Sequence, residues 1–258
     1  MKNFFKAIVK LYLKQLTKFV LWRHKPFIVA VSGSTNKTTV KEYILKFLRE
    51  KYPPSPRLRR ASGEYENVRG NPKSYNTEIG LPLAILYLDS GESSAMKWLK
   101  VLVQAKMRAL FGRKFPKKLV LELGVEEKGD MKPLLEMVRP NAAVITNIEG
   151  SYTYANSSLE KIFEEMKLLI GSIPEKGHLL LNADDERVKN LAKYAKAKVI
   201  TYGFSEDADA RAENLKTDAE GQTFDFVFGG KRETVRIKKY GRHFVSAWMA
   251  AKVIKNIV

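Results

Sequence analysis

Lys37 and Thr38 stand side by side after a small-residue turn, Gly33-Ser34-Thr35-Asn36, with Thr39 behind them. A lysine next to a hydroxyl at the start of a helix suits anion binding. The lysine reaches terminal phosphates, the hydroxyl can sit on Mg²⁺, and the N–H groups of the turn curl around phosphate oxygens. Glu122 ends the run Lys118-Leu119-Val120-Leu121, placing a carboxylate where it could hold the same Mg²⁺. A strand, a turn and a helix capped by Ser and Thr would use the first stretch without any ligand, so that reading stands beside nucleotide binding. Asn36 occupies the position where Gly usually precedes the lysine. Asn tolerates positive φ, so the loop can close, but its side chain could crowd a phosphate.

These residues need a scaffold that delivers them to one place. The run Phe27-Ile28-Val29-Ala30-Val31 predicts a buried strand leading into the turn, and Tyr43, Ile44 and Phe47 continue the pattern as a helix. Apolar runs over residues 118–124, 142–147, 178–181 and 198–202 predict further strands. Helical patterns over residues 131–138 and 159–173 and in NADDERVKNLAKYA alternate with them. That alternation predicts an α/β fold with a doubly wound, mostly parallel sheet, in which strand ends line a ligand crevice and bring Glu122 beside the loop. Residues 53–73, rich in Pro, Arg and Gly, read as a long surface loop near the nucleotide mouth. Its Arg57, Arg59 and Arg60 are either phosphate contacts or a solvated face. SYNTEIGLPLAILYL begins polar and becomes an apolar helix, and residues 93–111 form a basic one. Residues 210–237 shift to short alternating strands around Gly229-Gly230, a small antiparallel edge, before a closing helix from Arg242.

A chain of 258 residues that is 45% hydrophobic can bury one large domain, with or without appendages. It has no cysteine, which excludes disulfides, thiolate metal sites and a Cys nucleophile. His24, His178 and His243 lie too far apart in sequence for a short-spaced zinc motif, which leaves a hard metal held by oxygen. The net charge of +18 suits an anionic partner: nucleotide, nucleic acid, acidic lipid, or a phosphorylated or carboxylated substrate. Nucleic acid finds no support, because no aromatic-basic interleaving or recognition helix is present. Residues 1–25 carry seven Lys and Arg and no acidic residue. Their lysines recur every fourth position among apolar residues, which makes a basic amphipathic helix. It is too interrupted to span a bilayer and lacks a signal-peptide cleavage site. It either lies on an anionic membrane surface or docks on the domain with a solvated lysine face.

Eight stretches fall in one order: VSGSTNKTT, YNTEIGLPLAIL, LVLELGVEEKGDM, VRPNAAVITNI, SLEKIFEEMKLLI, LLLNADDERV, VITYGF and GRHFVSAWMAA. Together they resemble the central ATP-binding domain of the Mur ligase family, a fold built on a phosphate-binding loop, across residues 26–258. The resemblance implies ATP and Mg²⁺ as cofactors. It also implies a reaction of peptidoglycan precursor synthesis in which a carboxylate is phosphorylated and the acyl phosphate is attacked by an amine. UDP-muramoyl-peptide and D-alanyl-D-alanine are the implied substrates, and the implied location is cytoplasmic, peripheral on the inner membrane face. By position it makes Gly33, Ser34, Thr35, Asn36, Lys37, Thr38 and Thr39 the phosphate loop, with Lys37 and Glu122 catalytic. Thr38 and Glu122 would hold Mg²⁺, Asn76 and Glu78 would face the γ-phosphate, and Asp184 and Asp185 would shape the pocket wall.

The chain also departs from the family's pattern. Asn36 replaces a loop Gly and Thr77 a second Asn. Tyr152 stands at the histidine of the second metal, and Met166 at a lysine that becomes carbamylated. Phe244 and Ala247 stand at two asparagines that face adenine. The family's N-terminal domain, which grips the UDP-sugar, and its C-terminal domain have no counterpart in the sequence. Two expectations follow: a Mur-type ligase domain, or a non-catalytic Mur-like scaffold or binding protein at the membrane surface with an eroded ATP site.

Overall fold

A strand that is apolar on both faces needs cover on both, and β1 (Phe27–Ser32) is buried from Ile28 onward. The computed structural model describes residues 2–53, 67–72, 75–92, 94–112, 114–149 and 159–258, with side chains from residue 5. Among these residues β1 lies inside a nine-stranded sheet of order β2-β3-β1-β4-β5-β6-β7-β8-β9. The other strands are β2 (Val68–Gly70), β3 (Lys118–Glu122), β4 (Ala142–Ile145), β5 (His178–Asn182), β6 (Lys198–Gly203), β7 (Ala210–Asp218), β8 (Gly221–Phe228) and β9 (Lys231–Ile237). Neighbours from β2 to β7 run parallel, and β7, β8 and β9 pair antiparallel. The α/β sheet with an antiparallel edge is therefore as the sequence predicts.

One local expectation is corrected. Val68–Gly70 lies in the stretch read as loop, yet it forms the parallel edge strand β2 beside β3. A single Val between polar residues carries no period to read, and pairing with β3 supplies what the local sequence lacks. Arg57, Arg59 and Arg60 lie outside the described residues.

The chain leaves β1 for β2 and β3 on one side, then crosses to β4 on the other, so the sheet reverses direction of growth around β1. Such a switch point opens a crevice at the strand C-termini. Alternation along β1 divides the core. Val29 and Val31 face α2 (Lys37–Lys51) and α8 (Arg242–Ile257), while Ile28 and Ala30 face α5 (Met131–Leu135), α6 (Leu159–Ser172) and α7 (Glu186–Asn190).

A third apolar cluster joins α1 (Lys2–His24), α3 (Gly80–Leu86) and α4 (Ala95–Phe111). Val9, Leu13 and Val20 of α1 are buried there against Leu83, Val101 and Ala105. Lys10 pairs with Glu78 and Lys14 with Glu136. Lys2–His24 thus forms a docked helix, and part of the lysine face is engaged by the domain rather than solvated. Among the described residues no helix is long and apolar enough to cross a membrane.

Leu13 is fully buried in this third cluster. Leu13→Ala is expected to cost about 2–5 kcal/mol in urea denaturation. A loss below about 1 kcal/mol would show that the cluster does not hold α1.

Candidate functional site

β1 delivers the chain to the crevice and the turn after it reverses within four residues. Gly33 makes this possible. Its φ is 134°, and a Cβ there would lie 2.2 Å from Thr146 Oγ1. Beyond it the loop is tied to the end of β4: Ser34 N donates to Asn147 O at 2.8 Å, Thr35 N to Asn147 Oδ1 at 2.8 Å, and Thr146 Oγ1 to Thr35 O at 2.7 Å. Asn36 adopts the left-handed conformation, φ 61° and ψ 3°. Its Nδ2 donates to His243 O at 3.1 Å, at the start of α8, so the side chain is held at α8. No Asn36 side-chain cap covers the first turn of α2. N–H groups at a helix start without a cap are ready donors to an anion.

Lys37 curls back over the loop, its Nζ donating to Gly33 O and Ser34 O, each at 2.8 Å. Burial pushes its pKa below the ordinary 10.5, and the nearby charges of Glu122 and Glu126 oppose that shift. Thr38 Oγ1 donates to Glu122 Oε2 at 2.9 Å, and Asn76 Nδ2 donates to Oε1 at 3.2 Å. Gly124 lets Asn76 come this close, since a Cβ there would meet Asn76 Cγ at 2.8 Å. Glu122 is 5% exposed. A hydroxyl and a carboxylate are hard oxygen donors, the pairing that suits Mg²⁺.

The structure brings Gly33, Ser34, Thr35, Asn36, Lys37 and Thr38 together, with Glu122 and Asn76 against Thr38 and each other; Thr39 follows in α2. Glu78 is not in that cluster. It pairs with Lys10 and lines, with Asn76, Glu126 and Asp130, a neighbouring groove of about 320 Å³. Asp185 accepts from Ile148 N at 2.7 Å and from Arg187 N at 2.9 Å, and Asp184 from Phe204 N at 2.7 Å. Both acidic groups therefore brace loops that follow the central strands.

Three contributors escape sequence reasoning. Lys41 is fully buried, donates to Asn71 O at 2.7 Å and lies 3.9 Å from Glu122 Oε2. Asn71 clamps the backbone of Glu122 in both directions, Nδ2 to Glu122 O at 3.0 Å and Glu122 N to Oδ1 at 2.8 Å. Asn147 positions the loop. A signal exists for Lys41, which shares the stripe of Ile44, Leu45 and Leu48, so a charge sits on the inward face of α2. Asn147 follows a strand, where polar residues meet the crevice. No local signal marks Asn71.

Of the departures from the family pattern, Asn36 lies in the turn itself and Thr77 follows Asn76, accepting from Gly80 N at 3.3 Å; the others that are described lie in or against the core. Met166 is fully buried in apolar surroundings with Ile162 and Leu169. Its neighbour Glu165 accepts from Gly129 N and Met131 N at 2.9 and 2.8 Å. Ala247 is buried in the core between α2 and α8, and Phe244 packs beside it. Tyr152 lies outside the described residues. Among the described residues no cluster of three or more His, Cys, Asp or Glu is arranged to hold a metal.

Against known proteins, the sequence pattern of the Mur ligase middle domain matches residues 100–254. A UDP-N-acetylmuramoyl-tripeptide:D-alanyl-D-alanine ligase of Bacillus subtilis is 29% identical over 239 residues, covering 93% of this chain and 43% of that protein. A UDP-N-acetylmuramate:L-alanine ligase of Rubrobacter xylanophilus is 36% identical over 142 residues, 55% of this chain and 29% of that one. Among solved structures, MurF from Thermotoga maritima in complex with ADP superposes with a TM-score of 0.72 at 21% identity, over 96% of this chain and 49% of that one. MurF from Acinetobacter baumannii gives 0.73 at 20% identity, over 96% and 46%. The chain thus spans less than half the length of these relatives.

Gly33→Ala is expected to cost roughly 2 kcal/mol or more in urea denaturation, from the strained φ and the clash with Thr146. A neutral result would show that the loop can re-form around a side chain. The lowered pKa of Lys37 gives a second test. The unfolded chain binds this proton more tightly than the folded one. Stability therefore rises with pH between the lowered value and the ordinary 10.5. The stability of the unaltered chain relative to Lys37→Met should increase in denaturant titrations as the pH rises toward the ordinary 10.5. A flat difference would overturn the assignment.

Proposed function

The chain belongs to the Mur ligase family through its middle domain, and on that footing we propose that it binds Mg²⁺-ATP in the crevice between β1, β3 and β4. The observation that carries this reading is the Glu122 carboxylate, which meets the Thr38 hydroxyl at 2.9 Å beside a turn whose lysine is folded onto its own carbonyls. Bound Mg²⁺-ATP supplies the phosphoryl group that activates a carboxylate toward an amine. Lys37, now on the Gly33 and Ser34 carbonyls, would turn to phosphate oxygens, a stronger, charge-assisted partner. Thr38 and Glu122 would hold Mg²⁺, and Asn76 keeps the carboxylate oriented. Lys41 offsets the charge of Glu122 from the buried side, as a carboxylate out of water requires.

The activity proposed with it is Mur-type amide formation in peptidoglycan precursor synthesis. UDP-muramoyl-peptide and D-alanyl-D-alanine are proposed as substrates, because the Bacillus subtilis relative is named for them. A cytoplasmic location is proposed with them. A second reading, nucleotide binding without ligation in a scaffold or binding protein, rests on Met166. Sealed in the apolar core, that thioether offers no carboxylate to a second metal.

Calorimetric titration of Mg²⁺-ATP into the purified chain tests the first claim. Binding is expected, and Lys37→Ala should weaken it about tenfold or more, equivalent to roughly 1.4 kcal/mol. Thr38→Ala and Glu122→Gln should remove its dependence on Mg²⁺. Absence of binding at millimolar-scale ATP would sink the proposal. Formation of ADP and an amide product with both substrates present separates the ligase reading from the binding one.

A further inference from the structure

α4 is apolar on two opposite sides. Val101, Ala105 and Ala109 turn inward to α1 and α3. Met96, Leu99, Val103 and Met107 recur at intervals of three or four on the outer side and are 75, 58, 55 and 52% exposed. The outward face of a surface helix is normally polar, so this stripe lacks the water-facing chemistry its position calls for. α1 repeats the arrangement. With Val9, Leu13 and Val20 buried, its Ile8, Leu11 and Trp22 stand 49, 59 and 70% exposed. Tyr12 Oη donates to Leu102 O at 3.5 Å and Arg23 Nη1 to Leu110 O at 2.9 Å. The two helices therefore lie side by side, and their outer stripes form one ridge.

Within the two helices the charge has one sign, and Glu92, before α4, pairs with Lys97 at its first turn. Neither α1 nor α4 contains an Asp or Glu. Lys6, Lys18, Lys100 and Lys106 are exposed on the two helices. Apolar residues with an exposed Trp, fringed by lysines, match the interface between acyl chains and anionic headgroups. A second copy of the chain fits poorly, because it would bring two lysine-fringed, carboxylate-free faces together. No described helix can cross a bilayer, so the contact is parallel to its surface. We propose that the outer face of α1 and α4 docks on an anionic lipid bilayer, with the apolar stripe in the headgroup–acyl boundary and the lysines on lipid phosphates. This surface is distinct from the crevice and does not depend on nucleotide binding.

The test is sedimentation of the full chain with vesicles of phosphatidylglycerol mixed with phosphatidylcholine, against vesicles of phosphatidylcholine alone. Binding to the anionic vesicles is expected, about tenfold weaker on the neutral ones and weakened by salt. Leu99→Glu with Val103→Glu should lower it about tenfold or more. Both positions are exposed, so the melting temperature should stay unchanged. Trp22 emission should shift to the blue on anionic vesicles, a shift absent in Trp22→Phe. The proposal is overturned if the unaltered chain ignores anionic vesicles, or if the double Glu variant binds them equally well. It is also overturned if sedimentation equilibrium shows a dimer that this variant dissociates while no lipid binding occurs.

Discussion

The carboxylate of Glu122 holds two separate segments against the end of β3. It accepts from Thr38 at the start of α2 and from Asn76 in the turn before α3, and buried Lys41 approaches it from inside α2. Its own backbone is clamped by Asn71, which in turn accepts from Lys41. A carboxylate removed from water is tolerable only with partners of this kind. Once they are in place, the ends of β2, β3 and α2 cannot move independently. The crevice is in this sense built around one carboxylate, and the turn at residues 33–36 lies beside it.

The loop itself is secured from the opposite side. Asn147 and Thr146 take up the Ser34 and Thr35 backbone, while Gly33 leaves the space that Thr146 fills. Asn36 shows how a residue poorly suited to the loop is accommodated. Its left-handed backbone is one that Asn adopts at low cost, and its amide is drawn to the His243 carbonyl. The substitutions at Met166 and Ala247 are of another kind. Both are absorbed into the apolar core.

The third cluster adds a layer to the usual two. α1 completes a small core with α3 and α4, and its lysines bind Glu78 and Glu136 at the domain edge. The cost is a pair of helices with apolar residues on both sides. Glu78, which the family resemblance puts toward the γ-phosphate, is held by Lys10 instead, so α1 touches the margin of the crevice as well as the back of the domain.

The strands other than β2 and their alternation with helices were legible in the sequence, because a strand covered on both faces is a run of consecutive apolar residues. Phe27-Ile28-Val29-Ala30-Val31, leading into the turn before Lys37 and Thr38, is such a run. The carboxylate ending β3 was legible for the same reason: strand ends in a parallel sheet face the ligand side. The edge strand β2, the Asn71 clamp and the choice of Lys10 as partner for Glu78 were decided only by the tertiary structure. Each joins residues distant along the chain, 51 positions apart for Asn71 and Glu122 and 68 for Lys10 and Glu78. Their meeting depends on which strands become neighbours and where a helix docks. A local period carries one residue's burial, and it carries nothing about the partner that burial brings.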